Sequence, residues 1–346
     1  MTENERNGSL QILNKYEGNP ILAPDKNLEW GCLVATNPGA WYDEEREEFI
    51  LLYRAAGDDA DHLIRIAIAT SKDGFNFTRQ GGPIFEPDPG AWDYGAMEDP
   101  RVVKFGEHYF ITYAAVTYPP GRYWEREDMG RQAPDTAAEA PVLLRLNQTR
   151  TGLAITRDFK TAIRLGPISD QTLDDRNVII FPEKVGGKFV TLHRPMQWVG
   201  KEYGTDMPAI WIAFSDDLLQ NKELHLLAKA EYEWEQKIGG SAPPIKTEHG
   251  WFTLYHAVGP DSIYRVGAMM LDLENPAVVT HRTPEPILVP SESYEMEGFY
   301  KGICFPCGNV VKDGVLYVYY GGADQYVGVA TADFVQLQNA LLNHPV

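Results

Sequence analysis

Phe49-Ile-Leu-Leu-Tyr53, followed by Ile66-Ala-Ile-Ala-Thr-Ser-Lys-Asp73, is the stretch that decides the fold, because the pair recurs along the chain. Tyr109-Phe-Ile-Thr-Tyr113, Phe189-Val-Thr-Leu-His193, Trp251-Phe-Thr-Leu-Tyr255 and Leu316-Tyr-Val-Tyr-Tyr320 repeat its aromatic half. Gly152-Leu-Ala-Ile-Thr-Arg-Asp158, Ile210-Trp-Ile-Ala-Phe-Ser-Asp216, Val266-Gly-Ala-Met-Met-Leu-Asp272 and Val327-Gly-Val-Ala-Thr-Ala-Asp333 repeat its second half. Short apolar runs bounded by Gly, Pro and Asp indicate strands rather than helices. Five copies, mostly about 55–65 residues apart, are the signature of a repeat architecture. With a lead-in segment and an outer segment, each copy supplies four strands. The pattern predicts an all-β fold, a five-bladed β-propeller, in which every blade sends side chains to a central pocket.

The outer segments predict how the ring closes. Gly82-Pro-Ile-Phe-Glu-Pro87 and Pro286-Ile-Leu-Val-Pro290 each follow a repeat, whereas the similar Asn19-Pro-Ile-Leu-Ala-Pro24 precedes the first one. The last repeat has no such element after Asp333. The N-terminal segment is therefore expected to pair with the last blade and close the ring, which protects otherwise exposed strand edges. A length of 346 residues allows two domains. The repeat favours one, covering residues 1–346. Residues 117–149 interrupt the second blade between its inner strands. They begin with Tyr118-Pro-Pro-Gly-Arg-Tyr-Trp124 and continue as a charged, Ala-rich stretch. A loop of that length is either functional, here a lid or an oligomer contact, or a mobile excursion.

Composition narrows the partners. A net charge of −18 disfavours nucleic acid and anionic membrane, and makes any local group of basic residues stand out. The chain holds no run near the roughly 18 apolar residues that a membrane span needs. The opening Met1-Thr-Glu-Asn-Glu-Arg-Asn-Gly lacks the basic and apolar regions of a signal peptide, so a cytoplasmic protein is expected. Three cysteines make no disulfide framework. Cys304-Phe-Pro-Cys307 has neither a βαβ context nor a second ligand pair, and reads as buried, inert thiols. The acidic residues are scattered without a closed ligand set, so no metal is expected.

Ala96-Met-Glu-Asp-Pro-Arg101 is the strongest local signal for chemistry. Neighbouring side chains of an extended segment point to opposite faces, so only one of Glu98 and Asp99 is expected to face the axis. Pro100 biases Asp99 toward an extended backbone, holding a carboxyl group rigidly as an acid catalyst requires. Read alone, the motif is equally an Asp-Pro turn with a surface ion pair to Arg101. The other lead-in segments, Thr36-Asn-Pro-Gly39, Asp175-Arg-Asn-Val178, Lys237-Ile-Gly-Gly240 and Gly298-Phe-Tyr-Lys301, are polar without structural need. Arg54, His193-Arg194, His256 and Gly321-Gly-Ala-Asp324 lie at the ends of aromatic strands, and equivalent strand ends converge in a propeller. Arg54, Arg176, Lys237, Arg194 and His256 gathered in an acidic protein suit an anion, because charge-assisted hydrogen bonds to phosphate are strong and directional.

These motifs, taken in order, resemble glycoside hydrolase family 130. The series is Asn37-Pro-Gly-Ala, Glu98-Asp-Pro-Arg, Phe181-Pro-Glu-Lys, Leu192-His-Arg-Pro, Lys237-Ile-Gly, Pro243-Pro-Ile…Gly250-Trp, Tyr255-His256 and Tyr320-Gly-Gly-Ala-Asp324. The resemblance covers Asn19 to about Asp333 and implies a five-bladed propeller acting on β-mannosides, with no cofactor, as an inverting phosphorylase or a hydrolase. It implies Asp99 as general acid, its proton passing through a hydroxyl of the bound mannose. It places Asn37, Arg54, Lys237 and Asp324 on the mannose, and Arg176, Arg194 and His256 on phosphate with Asn177 and His193 beside them. A homo-oligomer is a further expectation of the resemblance. The long insertion departs from the common pattern and leaves the neighbouring sugar subsite open.

An inverting hydrolase needs two carboxyl groups roughly 6.5–9.5 Å apart, one of them to activate water. Phosphate is already an anionic nucleophile and needs only positive charge and hydrogen-bond donors to hold it in line. One acid and a basic cluster therefore favour a phosphorylase that converts a β-mannoside and inorganic phosphate to α-D-mannose 1-phosphate and a shortened sugar. An inverting β-mannosidase is the alternative, with Glu183, Glu295 or Glu297 as candidate base. A non-catalytic carbohydrate-binding propeller is a third reading, which would not need Asp99.

Overall fold

The computed structural model describes residues 12–127, 130–219 and 223–346. The N-terminal residues 1–8, read above for a leader, lie outside these ranges, as do two residues of the insertion. The chain is nearly all β and runs as five antiparallel meanders in four sheets. The first comprises Val34–Asp43, Glu48–Ala56, Ile64–Ser71 and Thr78–Arg79, and the second Ala96–Phe105, His108–Val116, Arg150–Thr156 and Ala162–Pro167. These two share a sheet through a parallel pairing at Ile64 and Ala96. The third holds Ile179–Ile180, Phe189–His193, Ile210–Ser215 and Leu224–Ala228. The fourth is built on Lys237–Gly240, Gly250–Val258, Tyr264–Leu271 and Val279–Arg282, and the fifth on Cys304–Lys312, Val315–Gly322 and Tyr326–Asp333.

The aromatic strands are apolar on consecutive residues because both faces are buried. Side chains alternate along a strand. Phe49, Leu51 and Tyr53 therefore pack against Tyr319, Val327 and Val329 of the fifth meander. Ile50 and Leu52 turn the other way, onto Met97, Tyr109 and Ile111 of the second. In the fourth meander Trp251 and Tyr255 join Leu192 and Ile212 of the third. Phe252 and Leu254 join Val318 and Tyr320 of the fifth. Val103 and Leu153 of the second meander meet Val178 and Ile180 of the third. Each meander thus packs on the next, and the fifth packs on the first.

The three outer segments make one recurrent contact. The Ile that follows Pro donates its backbone N–H to a carbonyl near the start of the adjacent strand: Ile84 to Ile66, Ile287 to Val266 and Ile21 to Val327. The N-terminal copy is joined by Asn14–Lys15, which pairs with Thr331 and Ala330, and by the Asn19 side chain, which bonds both backbone groups of Val329. A chain lacking residues 1–24 leaves these groups of the last strand unpaired, at about 1 kcal/mol per lost bond. It is expected to lose the single cooperative transition in scanning calorimetry, and an unchanged melt contradicts this.

The longest helix among the described residues, Phe334–Leu342, follows the last strand. Asp333 caps it by accepting from the Gln336 N–H, and Phe334, Leu337 and Leu341 seat it on the core shared by the fourth and fifth meanders. Among the described residues no helix is long and apolar enough to cross a membrane. Cys304 and Cys307 are buried, and burial pushes both thiols up, which leaves them inert.

Candidate active site

The lead-in strands of the first two meanders break their alternation at matching places. Thr36 pairs with Arg54 but Gly39 with Leu52, and Glu98 pairs with Ala114 but Arg101 with Thr112. Two residues thus oppose one, as in a β-bulge. Asn37 and Asp99 occupy the bulges with φ of 47° and 52°, a left-handed conformation that Asn and Asp tolerate better than most residues. The expectation that only one of Glu98 and Asp99 faces the axis is overturned, as is the extended backbone expected at Asp99. The extra residue cancels the alternation, and both carboxyl groups line one cavity of about 360 Å³.

Within that cavity the two carboxyl groups are driven apart electrostatically. Burial and the neighbouring Glu98 anion raise the Asp99 pKa, against the opposing Arg54 and Arg101. Burial would raise Glu98 too, but Arg131, Arg54 and Arg176 together outweigh it and hold Glu98 low. Arg131 Nη2 donates to Glu98 Oε1 at 2.7 Å, and Arg54 Nη1 lies 3.4 Å from Oε2. Such a split pair marks one group as proton carrier and its neighbour as fixed charge. Asn37 Nδ2 donates to Asp99 Oδ1 at 2.8 Å, which leaves Oδ2 to carry the proton, and also reaches Asp324 Oδ1 at 3.2 Å. Arg54 completes this end, donating to Asp324 at 3.2 Å and to the Tyr123 hydroxyl at 3.2 Å.

The opposite end is basic. Arg176 is held by a bidentate pair with Asp174, at 2.9 and 2.5 Å. Arg194 has no carboxylate partner among the described residues. Its Nη1 donates to His256 Nε2 at 2.7 Å, and burial followed by repulsion from Arg176 lowers its pKa to about 10. Arg194 Nε and Asn177 Nδ2 are buried donors without an acceptor among the described residues. Orphaned donors of this kind are costly and call for an explanation. A Cβ at Gly239 would fall on Arg194 Nη1 and Asn177 Nδ2, so this glycine is what allows the fourth meander to approach them. Lys237 Nζ lies 5.8 Å from the Tyr264 ring centroid. Burial, then Arg194 and Arg176, lower its pKa to about 8.

Of the residues singled out in the sequence, Asp99, Asn37, Arg54, Asp324, Arg176, Asn177 and Arg194 line the cavity. Lys237, His193 and His256 do not. Lys237 sits beside the two guanidinium groups rather than at the Asp324 end. His193 lies behind the wall, between Asp175 at 2.7 Å and Thr191 at 2.8 Å, while Asp175 also accepts the Arg194 N–H. His256 is fully buried behind Arg194, and burial and Arg194 hold it neutral. None of the candidate bases lines the cavity. Glu183 pairs with Lys246 on the surface. Glu295 is buried under Lys15, Tyr320 and the Ser291 N–H, and Glu297 is exposed. Sequence reasoning missed Arg131 and Tyr123, both carried by the insertion, and Asp174, whose place two residues before Arg176 was the available signal.

Comparison with known proteins gives a consistent picture. A family profile described as beta-1,4-mannooligosaccharide phosphorylase matches residues 12–129 and 144–342. The chain is 35% identical over 334 residues to the 1,2-beta-oligomannan phosphorylase of Thermoanaerobacter sp. (strain X514), covering 94% of this chain and 99% of that protein. It is 31% identical over 336 residues to the beta-1,2-mannobiose phosphorylase of the same organism, covering 93% and 97%. Among solved structures, the beta-1,2-mannobiose phosphorylase from Listeria innocua in complex with beta-1,2-mannobiose superposes with a TM-score of 0.75 at 26% identity, covering 96% of this chain and 99% of that one.

Proposed function

The chain belongs to glycoside hydrolase family 130, and on that premise we propose that it is an inverting phosphorylase that cleaves β-mannosides with inorganic phosphate. The observation that carries this reading is the pair of orphaned buried donors, Arg194 Nε and Asn177 Nδ2, beside Arg176 in the cavity wall and within electrostatic reach of Lys237. An anion with several acceptor oxygens satisfies all of them, and phosphate does so with directional, charge-assisted bonds.

In the proposed reaction a phosphate oxygen attacks the anomeric carbon from the face opposite the leaving oxygen. The C–O glycosidic bond breaks, and the leaving oxygen receives the Asp99 proton, relayed through a mannose hydroxyl. Asn37, Arg54 and Asp324 hold the mannose, whereas Lys237 is assigned to the anion. The products are α-D-mannose 1-phosphate and a shortened sugar. No electron transfer occurs, so phosphate is a co-substrate and no cofactor is called for. The hydrolase reading is the weaker one: Glu183, Glu295 and Glu297 do not line the cavity, and Glu98 is tied to two guanidinium groups and held low, which makes it a poor proton acceptor. A binding module would have no use for a carboxyl group whose pKa is raised beside one that is held low.

The cyclic packing of the five meanders supports a five-bladed propeller closed by the N-terminal segment, with the cavity at its axis. A charged sugar phosphate does not cross a membrane, which fits a cytoplasmic enzyme. The names of the two Thermoanaerobacter relatives favour a β-1,2 linkage. The test is a panel of β-1,2- and β-1,4-linked mannosides incubated with and without phosphate. Phosphate-dependent cleavage of the β-1,2 substrates is expected, and equal cleavage without phosphate defeats the proposal. The Lys237 ammonium gives a second expectation. It is charged below about pH 8 and neutral above, so kcat/KM for phosphate falls as pH rises through about 8. The same limb should be absent from Lys237→Met.

A further inference from the structure

The family profile leaves residues 130–143 unmatched, yet this stretch contributes Arg131 to the cavity wall. The insertion is anchored there. Tyr123 and Trp124 pack with Phe299 and His62, and Asn147 bonds the backbone of Tyr118 and Gln132. Arg131 itself is braced by Thr149, whose hydroxyl accepts from Nη1 at 2.7 Å while Nη2 holds Glu98.

We propose that Arg131 is a positioning residue: by pairing with Glu98 it keeps the negative charge of the adjacent carboxyl pair on Glu98 and the proton on Asp99. This role rests on the phosphorylase reading above. Two neighbouring carboxyl groups buried together share a single proton over much of the working pH range. Which one carries it depends on the charges around them. Glu98 faces Arg131, Arg54, Arg176 and His62, whereas Asp99 faces Arg54, Arg101 and Asp324. Arg54 and Arg176 are each shared with another carboxylate, Asp324 and Asp174. Arg131 also reaches Asp174 electrostatically, but it makes its ion pair with Glu98 and is not among the charges that chiefly shift Asp99, so it discriminates between the two. His62 is held down to about 4 by burial and Arg54 and is neutral above that pH. The insertion thus supplies part of the proton-delivery apparatus.

The test compares pH profiles of kcat at saturating phosphate for the wild type, Arg131→Gln, Arg131→Lys and Glu98→Gln. Titration of phosphate itself is common to all four and cancels. Loss of the Arg131 charge lets Glu98 take up the proton at higher pH. The acid limb of Arg131→Gln therefore moves up by about one unit, the effect of one close opposite charge. Arg131→Lys retains the charge and restores the limb. Glu98→Gln removes the anion that raises Asp99, so its basic limb moves down. A drop in Arg131→Gln with both limbs left where they are in the wild type, as from a loosened insertion, overturns the proposal. So does a loss confined to the KM for phosphate. If Arg131→Gln does not fold, an unmoved basic limb in Glu98→Gln or a displaced acid limb in Arg131→Lys overturns it. The wild type is assayed first: absence of phosphate-dependent cleavage there defeats the functional reading, whereas unmoved limbs in an active enzyme defeat only the role of Arg131.

Discussion

Asp99→Asn is expected to lower kcat for phosphorolysis by about 10²–10⁴-fold, the range for a general acid. The amide occupies the same volume and tolerates the left-handed backbone of the bulge, so fold and sugar affinity should persist. What it cannot do is release a proton. The leaving sugar oxygen must then depart as an alkoxide, and the cost appears in the chemical step. Substrates whose leaving group needs no protonation provide the control. An aryl β-mannoside with an acidic phenol should react with Asp99→Asn at a rate close to that of the wild type, while the natural disaccharide does not. Equal losses on both substrates would mean that Asp99 positions the sugar rather than protonating it. Undiminished turnover of the disaccharide would sink the acid assignment.

The second large effect lies at the other end of the cavity. Arg194→Met retains most of the aliphatic stem but removes the guanidinium, including the unpartnered Nε. Loss of a charge-assisted hydrogen bond costs about 1.5–3 kcal/mol, so the KM for phosphate should rise by about 10–150-fold. In the synthetic direction the KM for mannose 1-phosphate should rise in parallel, since its phosphate occupies the same place. The KM for the mannoside, measured at saturating phosphate, should change little. Steady-state kinetics in both directions checks this. An effect on the mannoside alone would move Arg194 to the sugar end and leave the orphaned donors unexplained.

Much of the architecture was legible because it depends on period. Phe49-Ile-Leu-Leu-Tyr53 is apolar on successive residues, and its two faces pack on different neighbours. The Pro-Ile segments make one shared contact at Ile66, Val266 and Val327. The bulges were not legible. Alternation separates Glu98 from Asp99, and only the three-dimensional register shows that an extra residue reunites them. Strand ends converge, so Arg194 and His256 were rightly grouped. Depth behind the cavity wall is not encoded in that pattern, which is why His193 and His256 stand one layer behind it. Arg131 was hidden for a different reason. It lies in a stretch without periodicity, held by side-chain bonds such as those of Asn147 to Tyr118 and Gln132 rather than by a strand ladder.

The central claim is that phosphate, held by the Arg194 end, is the nucleophile and inverts the anomeric carbon. Phosphorus and proton magnetic resonance of the wild-type enzyme turning over a β-1,2-mannoside in phosphate test it most directly. The account predicts α-D-mannose 1-phosphate as the first product, formed in step with glycosidic cleavage and without free mannose. Free mannose with the phosphate signal unchanged, or the β-anomer of the sugar phosphate, would contradict it.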